Sequence, residues 1–329
     1  MMKLRIKIVS LFSAILLAGA VASCTDVENM EIQKPYTYSE QYYENLRAYK
    51  ASDHQVSFMW FADYSSSHSM GIRFLGLPDS LDICSLWGGI PSDVEGKPNT
   101  FYNPQVHEEM RFVQREKGVK MTYVTFPSVG VHPWLKKVPE EQRVQAFGDS
   151  LLRLIANNNL DGMDLDYEIQ GDWMYGANFV KLIEYLGQYI GPKGKDPSKL
   201  LIVDGWPIDG GYEYLSYFIS QAYHSSGAGD LQGRYNELAR YGLPPEKHIV
   251  TENMGDYYST GGTAFTEADG NTTSSFGGRL YSLEGMARWN PEQGKKGGFG
   301  AFYAQRDYGN NPPYKYFRHG IQIQNPAVK

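Results

Sequence analysis

With 329 residues the chain has room for one large domain or two small ones, and 37 acidic against 31 basic side chains give it a formal charge of −6. An acidic chain without a basic cluster excludes nucleic acid as a partner. The two cysteines, one of them in the N-terminal segment, leave no intramolecular disulfide and no cysteine metal site.

Residues 1–23 read as a lipoprotein signal peptide. Lys3, Arg5 and Lys7 form a basic start, and residues 8–21 make a mostly apolar run too short to span a bilayer. The stretch Val21-Ala22-Ser23-Cys24 resembles a lipobox, in which a peptidase cuts before the cysteine and the thiol takes up diacylglycerol. The expectation is an exported lipoprotein of the cell envelope, anchored in the outer membrane through Cys24 rather than crossing it. Asp26 and Glu28, just after Cys24, suit display on the outer surface. Residues 24–52 are then a lipidated tether with a leading helix, and residues 53–329 are the folded domain.

From residue 56 onward, short β-branched and aromatic runs alternate with helical patterns. Strands are expected over residues 56–61, 83–87, 120–126, 162–168, 200–204, 218–223, 248–253 and 298–303. Val106, Met110 and Val113 make a weak helical stripe before the third strand. Val144, Phe147, Leu151, Leu152 and Ile155 recur at helical spacing before the fourth strand, and Phe179, Leu182, Ile183, Leu186 and Ile190 do so after it. Gly191-Pro192 ends that last helix. Such alternation implies parallel strands with crossover helices. Eight units predict a single (β/α)8 barrel rather than an open sheet, because Asp63-Tyr64-Ser65-Ser66-Ser67 stands where a Gly-rich phosphate turn would follow the first strand. Cys84, in an apolar run, reads as a small buried hydrophobe. Residues 257–279, rich in Gly, Ser and Thr, would form a mobile loop at the mouth of the seventh strand.

The run Asp161-Gly162-Met163-Asp164-Leu165-Asp166-Tyr167-Glu168 carries the chemistry. Residues two apart on a strand share a face, so Asp164, Asp166 and Glu168 point one way while Met163, Leu165 and Tyr167 point the other. The apolar set suits the surrounding helices, which turns the acids into the barrel. Three carboxylates there are costly to desolvate and repel one another, so at least one must hold a proton near neutral pH. A glycosidase needs such an acid to protonate a leaving oxygen. Glu168 is last in the run, nearest the C-terminal mouth where barrel active sites lie, and has the longest reach; the proton is assigned to it.

This stretch resembles the DGxDxDxE signature of glycoside hydrolase family 18, with every defining residue intact, and the eight-strand pattern extends the resemblance over most of the chain after residue 52. The resemblance implies substrate-assisted, retaining catalysis, in which the substrate's own 2-acetamido oxygen attacks the anomeric carbon and forms an oxazolinium ion. Glu168 would protonate the leaving sugar and later activate water. Asp166 would orient the acetamido N–H and stabilise its developing charge, and Asp164 would share a proton or hydrogen bond with Asp166. No cofactor is implied, and the seven histidines do not pair at metal-ligand spacing.

The family holds chitinases and endo-β-N-acetylglucosaminidases, which cut the N,N′-diacetylchitobiose core of N-glycans. Chitinases commonly carry Met-x-Tyr-Asp on the sixth strand, whereas the endoglycosidases resemble Gln-x-Tyr, and this chain reads Gln221-Ala222-Tyr223-His224. Gln221 and Tyr223 would hydrogen-bond the acetamide carbonyl and hold it for attack. The eighth strand lacks the Trp that chitinases usually place beneath the sugar, and Tyr303 would take part of that role. Trp87 and Trp206, with Trp60 at another strand end and Trp134 and Trp173 in loops, are candidates to line the glycan cleft. The expected partner is an N-acetylglucosamine-containing glycan or glycoprotein, cut by a monomer. A chitin-oligosaccharide hydrolase and a glycan-binding lipoprotein without catalysis are the alternatives.

Overall fold

The computed structural model describes residues 37–65 and 72–326. The signal segment 1–23, Cys24 and the tether up to residue 36 lie outside the described residues. Contacts divide the chain into Met1–Glu40 and a compact unit, Gln41–Lys329. No helix among the described residues is long and apolar enough to cross a membrane.

The compact unit is built on eight parallel strands: β1 (Val56–Phe61), β2 (Ile83–Leu86), β3 (Lys120–Thr125), β4 (Gly162–Tyr167), β5 (Leu200–Gly205), β6 (Tyr217–Ser220), β7 (His248–Asn253) and β8 (Gly298–Phe302). Each pairs with its neighbours in sequence and β1 pairs with β8, which closes the barrel. The expected (β/α)8 barrel is the fold. Several strands end earlier than their sequence pattern suggests. β2, β4, β6 and β8 stop at Leu86, Tyr167, Ser220 and Phe302, so Trp87, Glu168, Gln221, Tyr223 and Tyr303 stand just beyond the ladder.

Helix α1 (Glu40–Ala51) precedes the barrel, and α2 (Pro104–Arg115), α3 (Arg143–Asn157), α4 (Ala177–Leu186), α5 (Ala228–Arg240), α6 (Ser282–Arg288) and α7 (Lys315–Gln324) pack around it. The start of α2 is set locally: Asn103 Oδ1 accepts from the Val106 N–H and Pro104 supplies a first position that needs no N–H. Phe147, Leu151 and Ile155 of α3 and Phe179, Leu182, Ile183 and Leu186 of α4 are buried along one stripe each. Their rings and methyls meet the outward residues Met163 and Leu165 of β4 in one large apolar layer. Each such side chain stabilises the fold by roughly 1.5–3 kcal/mol. Cys84 lies in the same layer.

A second, smaller apolar cluster fills the inside of the barrel: Phe58, Trp60, Ile83, Val124, Ile202, Ile219 and Ile249. It fills the interior up to the level of Asp164, whose ladder partners Val124 and Ile202 belong to it, so the mouth has an apolar floor. Two glycines allow β4 and β5 to close up at the two ends of the acid run. A Cβ on Gly162 would meet the Leu200 carbonyl oxygen at 2.2 Å, and one on Gly205, at φ +97, would meet the Tyr167 carbonyl oxygen at 2.7 Å.

The loop after β7, expected to be mobile, is tied down by many hydrogen bonds. Glu267 accepts from Arg288 at 2.9 Å, Ser274 and Ser275 hold Glu284 at 2.6 Å each, and Phe265 N–H bonds the Leu280 carbonyl at 3.0 Å. Its polar composition therefore serves an internal network rather than disorder.

Candidate active site

The alternation read from the sequence is realised in β4. Met163 and Leu165 are fully buried against the helices, and Tyr167 is sandwiched between Tyr175 and Phe179 at 4.6 and 4.1 Å. Asp164 and Asp166 point into the barrel, 0% and 3% exposed. Asp161, the first acid of the run, has a different task. It sits at the N-terminal end of β4, where its side chain accepts from the Met121 N–H at 2.9 Å and its carbonyl from the Leu200 N–H at 2.7 Å. It thereby stitches β4 to β3 and β5, far from the mouth.

Asp164 uses one oxygen, Oδ2, to accept from Trp60 Nε1 and Ser85 Oγ, each at 2.8 Å. Its Oδ1 is buried with no N–H or O–H donor among the neutral and basic groups around it. Directly across the ladder from Asp166 stands Asp204, on β5, also fully buried and inward-facing. Asp204 Oδ1 accepts from Gln221 Nε2 at 2.7 Å, and the same nitrogen lies 3.5 Å from Asp166 Oδ1.

These surroundings decide the charge states. Burial pushes Asp164 up to about 6, although Ser85, Asp204 and Trp60 hydrogen bonds work against it. Burial, then the charges of Glu168 and Asp164, push Asp166 up to about 8. Asp204 is driven well above the carboxylate range by burial and by the charges of Asp164 and Asp166. The group therefore stores protons at neutral pH, as repulsion within the run requires. Glu168 stands exposed at the mouth, one residue past the strand, with its chain over Gly205.

Gln221 and Tyr223 are brought to the same acids. Burial and then the charges of Asp204, Asp166 and Glu168 raise the Tyr223 hydroxyl well above its ordinary value. Its ring lies 5.9 Å from Phe302. Phe302 also meets Trp87 at 5.4 Å and Trp60 at 6.1 Å, and Trp87 meets Phe126 at 6.2 Å, which forms an aromatic collar around the mouth. Trp206, just past β5, is 49% exposed, so its indole face is open to a ligand.

Three participants escaped the sequence reading, and a fourth, Trp60, has a different place from the one expected. Asp204 was seen only as a strand end, although an acid two residues after Ile202 shares its inward face. Trp60 is a hydrogen-bond donor to Asp164 within the core, 2% exposed, and so is not part of an open sugar surface. Ser85 carries no signal beyond its inward parity. At the end of β8 the ring turned into the mouth is Phe302. Tyr303 leaves the strand at φ +48 and packs beside Gly255, with Arg306 over its ring at 6.0 Å and its own ring edge-on to Phe302 at 4.3 Å. A barrel with paired acids at its C-terminal mouth, an apolar floor and an aromatic collar is equipped for acid–base hydrolysis of a ligand with apolar C–H faces.

Comparison with known proteins agrees with this geometry. Residues 21–130 and 139–323 match the model of the family described as glycoside hydrolase family 18, BT1044-like. The endo-beta-N-acetylglucosaminidase F2 of Elizabethkingia meningoseptica is 25% identical over 287 residues, covering 80% of this chain and 77% of that protein. A glutamate-to-glutamine form of BT1044 superposes with a TM-score of 0.72 at 22% identity, over 87% of this chain and 93% of that one. A doubly substituted endo-beta-N-acetylglucosaminidase from Cordyceps militaris, in complex with fucosyl-N-acetylglucosamine-Asn, superposes with a TM-score of 0.63 at 21% identity, over 88% and 98%. The chain belongs to glycoside hydrolase family 18 and is a glycosidase.

Proposed function

We propose that this glycosidase is an endo-β-N-acetylglucosaminidase that cuts the N,N′-diacetylchitobiose core of N-glycans with retention of configuration. The observation that supports this most is the place of Gln221, whose amide donates to Asp204 at 2.7 Å and lies 3.5 Å from Asp166, at the mouth where Glu168 stands. An amide and a phenol beside a carboxyl suit an acetamide group, which presents one carbonyl acceptor and one N–H donor. The Glu168 carboxyl protonates the glycosidic oxygen while the acetamide oxygen attacks the anomeric carbon; the C–O bond breaks and an oxazolinium ion forms. Asp166 accepts from the acetamide N–H and, as its proton passes to the Asp164 carboxylate, offsets the charge that develops on it. Asp164 shares a proton with Asp166. The Glu168 carboxylate then takes a proton from the water that opens the ring. Trp87, Trp206 and the Tyr303 region offer ring faces for flanking sugars.

The Cordyceps enzyme was captured with fucosyl-N-acetylglucosamine-Asn, which is the Asn-linked sugar that a cut through the chitobiose core leaves behind. The name of the Elizabethkingia relative points the same way. We further propose that the chain is exported, acts as a monomer and is held at the outer membrane by a lipid on Cys24, on the strength of the sequence Val21-Ala22-Ser23-Cys24.

The test uses the protein from Cys24 onward with a denatured N-glycoprotein and, separately, with chitin oligosaccharides, beside Glu168→Gln. The expected result is a loss of mass from the glycoprotein that leaves one N-acetylglucosamine on Asn, and a fall of about 10³-fold in that rate for Glu168→Gln. Cleavage of chitin alone would replace the substrate proposed here. Binding without cleavage by either form would remove the catalytic reading of this mouth.

A further inference from the structure

Asp204 has no part in the chemistry just described, yet it stands against Asp166 and holds Gln221. It lies opposite Asp166 in register, is fully buried, and its Oδ1 takes the Gln221 amide at 2.7 Å. Its Oδ2 and the Oδ1 of Asp164 are both buried oxygens without an N–H or O–H donor. The two carboxyls stand on adjacent strands, and each acts on the other as a hydrogen-bond partner would, lowering Asp164 and raising Asp204. Two carboxylates are acceptors only, so a bond between them exists only if one of them carries a proton. Asp164 already accepts two donors on Oδ2, the pattern of an ion. The proton therefore sits on Asp204.

We propose that Asp204 is a positioning residue that works as a permanently neutral carboxyl, with its O–H donating to Asp164 Oδ1 and its carbonyl oxygen holding the Gln221 amide. The inference rests on the acetamide-directed reading above. In this form Asp204 removes both orphaned oxygens at once and lets Asp164 be charged beside it. It also points one N–H of Gln221 away from the cleft, which leaves the second N–H available to the acetamide carbonyl. The charges that act on Asp204 are those of Asp164 and Asp166. From β4, Glu168 and Asp164 act on Asp166, and beyond β6 the charges of the same acids act on Tyr223. A neutral fourth carboxyl spares the site a further negative charge.

Asn at this position is an isostere with the same polarity, its Nδ2–H donating to Asp164 and its Oδ1 accepting from Gln221; Leu keeps the volume and loses both bonds. With the natural N-glycoprotein, Asp204→Asn is expected to keep kcat within about fivefold and to leave the pH–rate profile in place. Asp204→Leu is expected to lose about 100-fold in kcat with KM within about threefold, because the substrate still binds but its acetamide is poorly held. Infrared spectra give a readout that needs no activity. At about pH 9, above the value of about 8 for Asp166, the wild type should still show the carbonyl stretch of a protonated carboxyl, and Asp204→Asn should lose it. A band that survives in Asp204→Asn, an Asn variant as slow as the Leu variant, or a Leu variant as fast as wild type each overturns the proposal. Should Asp204→Leu fail to fold, Asp204→Asn and its spectrum decide alone. An inactive wild type whose band still disappears in Asp204→Asn would break the functional reading and keep the neutral carboxyl; an active wild type that loses its rate in Glu168→Gln keeps the reading whatever Asp204 does.

Discussion

Glu284 and Asp204 are both buried carboxyls, 9% and 0% exposed, yet their surroundings drive them to opposite charge states. Glu284, outside the barrel on α6, accepts from Ser274 Oγ, Ser275 N–H, Ser275 Oγ and Arg288. Against the cost of burial these donors pull it down to about 2. Glu252, at the end of β7, points outward as well and accepts from the His224 and Asn253 N–H groups and from Ser282. Inside the barrel the aspartates meet chiefly one another, and their values rise. The lesson is that burial alone does not decide protonation. A carboxylate supplied with donors is structural and stays ionised, whereas one faced by other acids becomes a proton store that chemistry can use.

The largest expected effect tests the inner group. Asp166→Asn should lower kcat by about 10²–10³-fold, because the acetamide loses its electrostatic partner. The same substitution should stabilise the fold in alkaline solution. A carboxyl whose folded value is raised burdens the native state only where the unfolded chain would be ionised. The burden is absent below about 4 and grows as pH rises towards about 8. Thermal unfolding should therefore show Asp166→Asn above wild type at pH 8 and level with it at pH 4. A gap that does not change with pH would break the comparison.

Ser85→Ala removes one of the two donors that keep Asp164 charged. A fall in kcat of about tenfold is expected, with the acid limb of the pH–rate profile moved upward. An unmoved limb would mean that Trp60 suffices.

Glu284→Gln is the mirror experiment. It should cost about 1–3 kcal/mol at pH 7, a drop on the order of 2–8 °C in Tm, and leave kcat unchanged. Here the folded value is depressed, so the contribution is present above about 4.5 and disappears as pH falls through about 2. The deficit of the variant should close over that acid window, opposite in sign and position to the window of Asp166. A kcat loss without a loss of Tm would put Glu284 in the wrong class.

The smallest expected effect belongs to the rim. Trp206→Ala should raise KM about 2–10-fold, in line with one aromatic contact to sugar, and leave kcat and Tm near wild type. An unchanged KM would place the indole outside the path of the substrate.

Much of this could be read from residue order. The period of 2 in Met163-Asp164-Leu165-Asp166-Tyr167 marks a strand with one apolar and one acidic face, and the helical stripes of α3 and α4 identify what covers the apolar one. Those patterns are local, so they survive without the third dimension. Strand ends were less legible. β6 stops at Ser220, and the backbone turns so that the Ala222 N–H bonds the Ser220 carbonyl at 2.8 Å, which no propensity of Gln221 or Tyr223 announces. On β8 the period of 2 already gives the inward place to Phe302, on the face of Gly298 and Gly300, and Tyr303 then leaves the strand at positive φ. Polarity misled at residues 257–279, because serines and glycines that look like a free loop are partners of Glu267 and Glu284.

Sequence alone thus determined the barrel, the acidic face of β4 and the exposed glutamate that ends it, because each follows from spacing along one strand. Tertiary structure alone decided what those acids are. Only the register between β4 and β5 sets Asp204 across from Asp166, and only barrel closure brings Trp60 and Ser85 to Asp164. Proton affinity depends on neighbours through space, and the residues that set it here come from four different strands and the turn after β6.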